Sequence, residues 1–385
     1  MYNINRLLRF FVVAFVISAN LLVISCGEDK IIDTGAPDMV VGRWFHSATL
    51  LNNGNVLVVG GESKFRTGTK TAEIFNTGSG LWESAGNTLE KRGEGHTATL
   101  LDNGNVLLVG GSEQVEIYNV STGIFESTGS IEKARSWHAI TKLSDGKVLI
   151  AGGQDPSSRK PKNTAEIYDP NTGQWTKTGD MQEQHTTDSM VLLADGKALI
   201  GGKKYSEVYN PSTGEWSSQS LVVKQRLGGY TLDKISDGTI LMAGGGVLKG
   251  NQAGSIGGAL ASHDAFLVKT MKVESYNPDT ATWMPANPLL MGMENHDSIH
   301  MKDGTLILVS ASTAQKYDTT QGLWLALPDL LIERNYGHTA TVLANGKVLI
   351  VGGNEGADPF NPATNNLMTG IARAEIYDPN APMDK

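Results

Sequence analysis

Seven short stretches of this 385-residue chain bring together residue types that recognise ligands or move protons. They are Arg43-Trp44-Phe45-His46, Arg92 with His96, Arg135-Ser136-Trp137-His138, His185, Arg226 with Tyr230, Glu294 with His296, and Arg334 with Tyr336 and His338. An arginine guanidinium is a planar fork that matches a carboxylate or phosphate, and an aromatic face stacks on a sugar or clasps an apolar side chain. Histidine titrates near neutrality, so the histidines, with Glu94 and Glu294, are also candidate proton donors and acceptors. Metal chemistry is not expected: His296 and His300 lie on a predicted strand that separates them by ~13 Å, and no other His, Cys or carboxylate grouping reaches metal-site density. No glycine-rich turn leads into a helix, so neither a phosphate-cradling loop nor a cofactor is expected.

Each stretch stands ahead of a recurring hairpin. The copies are Ser47–Gly61, Thr97–Gly111, Ala139–Gly153, Ser189–Gly202, Thr231–Gly245, Ser298–Ala311 and Thr339–Gly353. An apolar strand, an Asn-Gly or Asp-Gly turn and a second apolar strand follow one another, and all but the sixth copy, with Ser310-Ala311, end in paired glycines. These dipeptides suit the positive backbone angles of a two-residue type I′ turn. The period from Gly60 to Gly352 is about 49 residues, long enough for four strands. A third strand ends in an aromatic residue (Phe75, Tyr118, Tyr168, Tyr209, Tyr276, Tyr317, Tyr377), and a fourth opens on Trp82, Phe125, Trp175, Trp216, Trp283 or Trp324.

Four antiparallel strands repeated seven times predict an all-β, seven-bladed propeller, with most of these rings packing between blades. The seventh unit ends at Lys385 without a fourth strand, while Asp33–Arg43 matches Trp324–Arg334 in its Pro-Asp, apolar trio and arginine. Residues 30–36 are therefore expected to supply that strand, close the ring and remove an exposed sheet edge. In such a blade the loops between strands two and three share a face with the connections that enter strand one. The seven stretches are thus expected to converge on one axial mouth on this upper face. Long loops stand in blades one, three, five and seven; the longest, Gly246–Lys272, is a candidate lid.

At the amino terminus Arg6 and Arg9 precede an apolar run, Phe10–Ile24, that is too short to span a bilayer and reads as a secretory signal. Val23-Ile24-Ser25-Cys26 resembles the lipobox of bacterial lipoproteins, which implies cleavage before Cys26 and its lipidation. Residues 1–25 are assigned as signal peptide, 26–29 as a lipidated tether and 30–385 as one propeller domain, lipid-anchored in the bacterial cell envelope. A net charge of −8 with no basic run excludes nucleic acid as a partner. The single cysteine excludes an internal disulfide.

Paired glycines followed by tyrosine and tryptophan at these offsets resemble the kelch repeat family over roughly residues 43–379. The resemblance implies that arginines entering the first strand, here Arg43, Arg92, Arg135, Arg226 and Arg334, contact acidic peptides. It also implies an alternative, because some periplasmic kelch proteins resemble sialic acid mutarotases, carbohydrate isomerases that need an acid and a base but no metal. The copper-radical chemistry of galactose oxidase-type members needs a tyrosine–cysteine crosslink, which a chain whose only cysteine is lipidated cannot form. The expected function is a membrane-anchored protein that binds a peptide, protein or glycan at the channel mouth, with acidic ligands favoured. The residues assigned to binding are Arg43, Trp44, His46, Arg92, His96, Arg135, Trp137, His138, Arg226, Tyr230, His296, Arg334, Tyr336 and His338; none is assigned to catalysis.

Overall fold

The second strand of every repeat opens on a run of at least three apolar residues, as in Val56–Val59, Val106–Val109 and Val348–Gly352, and is completely buried. A strand that alternates in and out protects one face only; one that is apolar throughout must be covered on both. Neighbouring blades supply that cover. A computed structural model describes residues 35–64, 67–186, 189–202, 205–220, 226, 228–248, 267–355 and 369–381, and all regular structure among them is strand. Five blades hold four antiparallel strands in sequential order, blade one adds a short strand, Glu62–Lys64, beside its third, and the seventh shows three among the described residues. The inner strands are Ser47–Leu50, Thr97–Leu100, Ser136–Lys142, Met190–Leu192, Tyr230–Lys234, Asp297–His300 and His338–Val342. Each touches the next and the last returns to the first, so the chain forms a closed seven-bladed propeller.

The core is a set of seams between blades. Leu57 and Val59 of blade one, for example, pack with Leu108, Tyr118 and Phe125 of blade two. The aromatic residue of strand three pairs across the sheet with the ring that opens strand four. Tyr168 stands opposite Trp175, with ring centroids 5.1 Å apart, and the same pairing joins Phe75 to Trp82, Tyr118 to Phe125 and Tyr276 to Trp283. Such cross-strand pairs are a main source of sheet stability.

The turns differ from expectation. In blade one the Gly54 N–H donates to Leu51 and the Leu51 N–H to Asn55, and positive φ falls on Gly54 while Asn53 keeps a negative one. The loop is therefore a three-residue type I turn closed by a left-handed glycine, a geometry that Asn-Gly serves as well as the two-residue turn. Asn53 accepts from the Asn55 N–H, and Asp145, Asp195 and Asp303 accept equivalently in their blades.

Closure at the amino terminus follows the repeat. Met39 donates to Ala372 at 2.8 Å, just as Met181 donates to Asn163 at the end of blade three, and Gly35 lies against Ile376. Residues 35–39 thus occupy the place that follows a fourth strand in the last blade. Residues 30–34 of the expected strand, the signal segment and Cys26 lie outside the described residues. The long loops begin as β-ribbons: Gly246–Leu248 pairs with Leu267–Lys269, and Lys64 bridges to Thr369 between the loops of blades one and seven. Residues 249–266, most of the candidate lid, are outside the described residues.

Candidate functional site

Arginines that precede an inner strand enter the blade rather than the mouth. Arg43, Arg92, Arg135, Arg226 and Arg334 are all fully buried. Each donates to the carbonyl of the first glycine of its own blade's pair (Gly60, Gly110, Gly152, Gly244 and Gly352) at 2.7–2.9 Å. Each also faces the glutamate of its own third strand: Arg43–Glu73 at 2.6 Å, Arg92–Glu116 at 2.6 Å, Arg135–Glu166 at 2.7 Å, Arg226–Glu274 at 3.2 Å and Arg334–Glu375 at 3.9 Å. The carboxylates are further occupied by backbone N–H groups of the incoming connection, as when Val40 and Val41 donate to Glu73. Burial lowers the pKa of Arg43, Arg135 and Arg226, and the facing glutamates oppose the shift. A buried guanidinium must be matched by charge and hydrogen bonds; the third-strand glutamate supplies both to Arg43, Arg92, Arg135 and Arg226, and charge without a hydrogen bond to Arg334. The expected ring of arginine forks at the mouth is therefore replaced by five clasps inside the blades.

Blades four and six explain their missing arginines. His185 takes the place in blade four and meets Glu207 at 2.9 Å. In blade six both partners change together, so that Gln315 faces Met293.

The histidines are spacers between blades. His46, His96, His138, His296 and His338 are buried, and so is Tyr230 at the equivalent place. His96 Nε2 shares a hydrogen bond with Ser47 of the preceding blade, His138 with Thr97, His296 with Thr231 and His46 with Thr339. The glycine pair makes room for them. A Cβ on Gly352 would lie 2.5 Å from the His46 ring, and one on Gly60 would lie 3.1 Å from the His96 ring. Burial, the largest cause, pushes His96, His296 and His338 down to about 4 and His138 to about 3, so these rings are neutral at pH 7. Trp44 is buried as well, its backbone paired with Glu62.

What the mouth presents comes from the residue just ahead of each buried histidine or its Tyr230 equivalent. That position takes a left-handed backbone in six blades: Phe45, Gly95, Trp137, Gly229, Asn295 and Gly337. A glycine of one blade accepts from the larger residue of the next, in Phe45 N–H to Gly337, Trp137 N–H to Gly95 and Asn295 N–H to Gly229, at 2.8–2.9 Å. No side chain fits at the glycine, since a Cβ on Gly95 would sit 2.6 Å from the Trp137 nitrogen. Phe45 and Trp137 then meet edge to face across blade two, with centroids 5.3 Å apart. Trp137 Nε1 donates to Glu94 at 2.9 Å, and Arg159, from the long loop of blade three, reaches the same carboxylate at 3.5 Å. These side chains are partly exposed, as are Tyr336 and Glu294 ahead of the inner strands of blades seven and six. Among the predicted binding residues the structure thus keeps Trp137 and Tyr336 accessible. Phe45 and Glu94 join them, and the shared register with Gly95 and Gly337 is the signal that marks Phe45. Among the described residues no three His, Cys, Asp or Glu side chains converge as metal ligands.

Seven blades, six of them with a glycine pair, and a closed ring define the class of this protein as a seven-bladed β-propeller. The Kelch motif matches residues 143–182, from the hairpin turn of blade three to the connection after its fourth strand. Its fold is similar to that of a fungal alcohol oxidase of the AA5 family solved in complex with copper, with a TM-score of 0.70 and 16% identity over 89% of this chain and 75% of the other. It is also similar to the structure of YjhT, with a TM-score of 0.56 and 14% identity over 73% of this chain and 96% of the other. At these identities the likeness is one of fold. No curated protein matches the sequence.

Proposed function

We propose that the protein is a binding module that holds a peptide, protein or glycan at the upper mouth of the propeller, tethered to a bacterial envelope membrane through lipid on Cys26. The observation that carries the reading is the pair Phe45 and Trp137. Two bulky residues hold left-handed backbones beside glycines that take the same conformation without penalty. A bulky side chain in that region costs on the order of 1–3 kcal/mol, and such strain is concentrated at functional sites. Here it places two aromatic faces beside a carboxylate on a rigid ring. The tether rests on the sequence of the signal segment alone.

The ligand chemistry shifts from the one expected. With the guanidinium groups engaged by their own glutamates, the mouth offers aromatic faces, Glu94 and Arg159. A neutral, hydroxyl-rich or apolar group suits it better than a carboxylate. The carbohydrate isomerase reading now depends on Glu94 and Glu294, because the histidines are enclosed and neutral. A glycan and peptide array probed with protein starting at Gly27 separates the two: stable binding lost in Trp137→Ala supports the module. Turnover of a sugar without retained binding supports the isomerase and defeats it.

A further inference from the structure

A second surface lies away from the axis on the same face. In six blades the backbone N–H of one residue in the incoming connection donates to the third-strand carboxylate or amide. These are Val40 to Glu73, Leu89 to Glu116, Glu132 to Glu166, Gln182 to Glu207, Leu290 to Gln315 and Leu331 to Glu375, at 2.7–3.0 Å. The shared bond makes the six positions equivalent, so the repeat acts as its own control. Blades three and four place exposed polar residues there, Glu132 and Gln182. The fold therefore does not require an apolar side chain at this place. Yet Leu290, Leu331, Val40 and Leu89, in the four consecutive blades six, seven, one and two, are 50%, 51%, 83% and 40% exposed. Exposed apolar residues gathered on one arc mark a contact surface more often than scattered ones do.

Two hollows lie along the arc. A cleft of about 560 Å³ opens beside Leu331 and Ile332 and is also lined by Glu333, Asn335, Glu355 and Arg373. In blade six a small apolar notch lies between Leu290, Met291 and Leu327, with Asp329 at its edge. Charge around the arc is uneven. Asp38, Asp329, Glu333 and Glu355 are exposed over blades six, seven and one, against a half-buried Arg373 and an exposed Lys64, which bridges to Thr369. Lys269 and Lys272 stand on the blade-five side, and Glu90 and Lys91 offset each other beside Leu89.

We propose that the rim over blades six, seven and one docks an apolar, basic segment of another protein, with Leu290, Leu331 and Val40 as contacts and the surrounding carboxylates selecting positive charge. Its three contacts are residues other than those of the mouth.

The test uses purified full-length protein and two synthetic peptides of alternating composition, one of leucine and lysine, the other of leucine and glutamate. The leucine–lysine peptide is expected to bind at least tenfold more tightly than its acidic counterpart, and its affinity to fall with salt. Val40→Gln/Leu290→Gln/Leu331→Gln, which copies the natural Gln182 of blade four, should keep the melting temperature and lose at least tenfold in affinity. Trp137→Ala should leave this binding unchanged, which separates failure here from failure of the mouth. Equal binding of both peptides, or by the triple variant, overturns the proposal. So does self-association that the triple variant abolishes, which assigns the rim to a second copy of the chain. Flotation with phosphatidylcholine vesicles that depends on the same three residues overturns it in favour of lipid.

Discussion

Gln315 donates to the sulfur of Met293 at 3.2 Å inside blade six, at the place where five other blades join an arginine to a glutamate. An uncharged pair thus stands in for an ion pair at a site closed to water. The substitution is coupled by electrostatics: an arginine facing Gln315 would be a buried charge without a counter-ion, and a glutamate facing Met293 would be the same with the sign reversed.

That coupling is measurable. Met293→Arg alone is expected to cost ~3–5 kcal/mol, the penalty of a buried unpaired charge. Met293→Arg/Gln315→Glu should recover most of it by rebuilding the clasp of the other blades. Urea unfolding of both variants checks this, and a single variant as stable as the double one would contradict the clasp.

Stability should also depend on pH in a defined window. The buried histidines hold no proton in the folded protein until about 4 (about 3 for His138), whereas in the unfolded chain they take one below 6.5. Between those limits the unfolded state binds more protons, so stability falls as pH drops from 6.5 to 4. Asp297 acts in the opposite sense. Half-buried on an inner strand, it accepts from the Ala340 N–H, and burial pushes its carboxyl up from 3.8 to about 7. Its contribution is therefore lost as pH rises from 4 to 7. Urea midpoints should rise between pH 4 and 6.5 in the wild type. Asp297→Asn should gain on the wild type above pH 7 and match it near pH 4. A flat wild-type profile would refute the neutral histidine ring.

The glycine pair gives a third expectation. Gly352→Ala sets a Cβ 2.4 Å from the Arg43 carbonyl oxygen and 2.5 Å from the His46 ring, at a φ of 64°. Gly80 has a similar φ of 70° but nothing within 4 Å. Gly80→Ala should cost only the backbone strain, ~1–2 kcal/mol. Gly352→Ala should cost well beyond that, because the contact is with backbone that cannot yield. Thermal melts of the two variants decide, and equal losses would show that the seam is looser than described.

Blades were legible because each feature recurs at one spacing: the glycine pair, the ring of strand three and the ring that opens strand four. Turn type was not, since Asn53-Gly54 satisfies two hairpin geometries that differ in the angle at Asn53. The arginines are legible as a set, but the direction of their side chains is not. Their place ahead of the inner strand is visible in the residues; whether the side chain turns to the axis or to strand three depends on where its carboxylate waits. A clue was present in the joint change to Met293 and Gln315. Phe45 is not distinguished from Trp44 by residue type, because its alignment with Gly95 and Gly337 rests on counting back from the buried histidine.

The central claim, that the arginines hold blades together and leave the mouth to Phe45, Trp137 and Glu94, is tested most directly by one thermal melt. In Arg43→Ala/Arg135→Ala/Arg334→Ala three glutamates lose their counter-ions, and at several kcal/mol for each broken pair the sum matches or exceeds the 5–15 kcal/mol that stabilises an ordinary domain. The account predicts a protein that is unfolded or melts far below the wild type. A triple variant that melts at the wild-type temperature, and loses only the ability to hold a ligand, would contradict it.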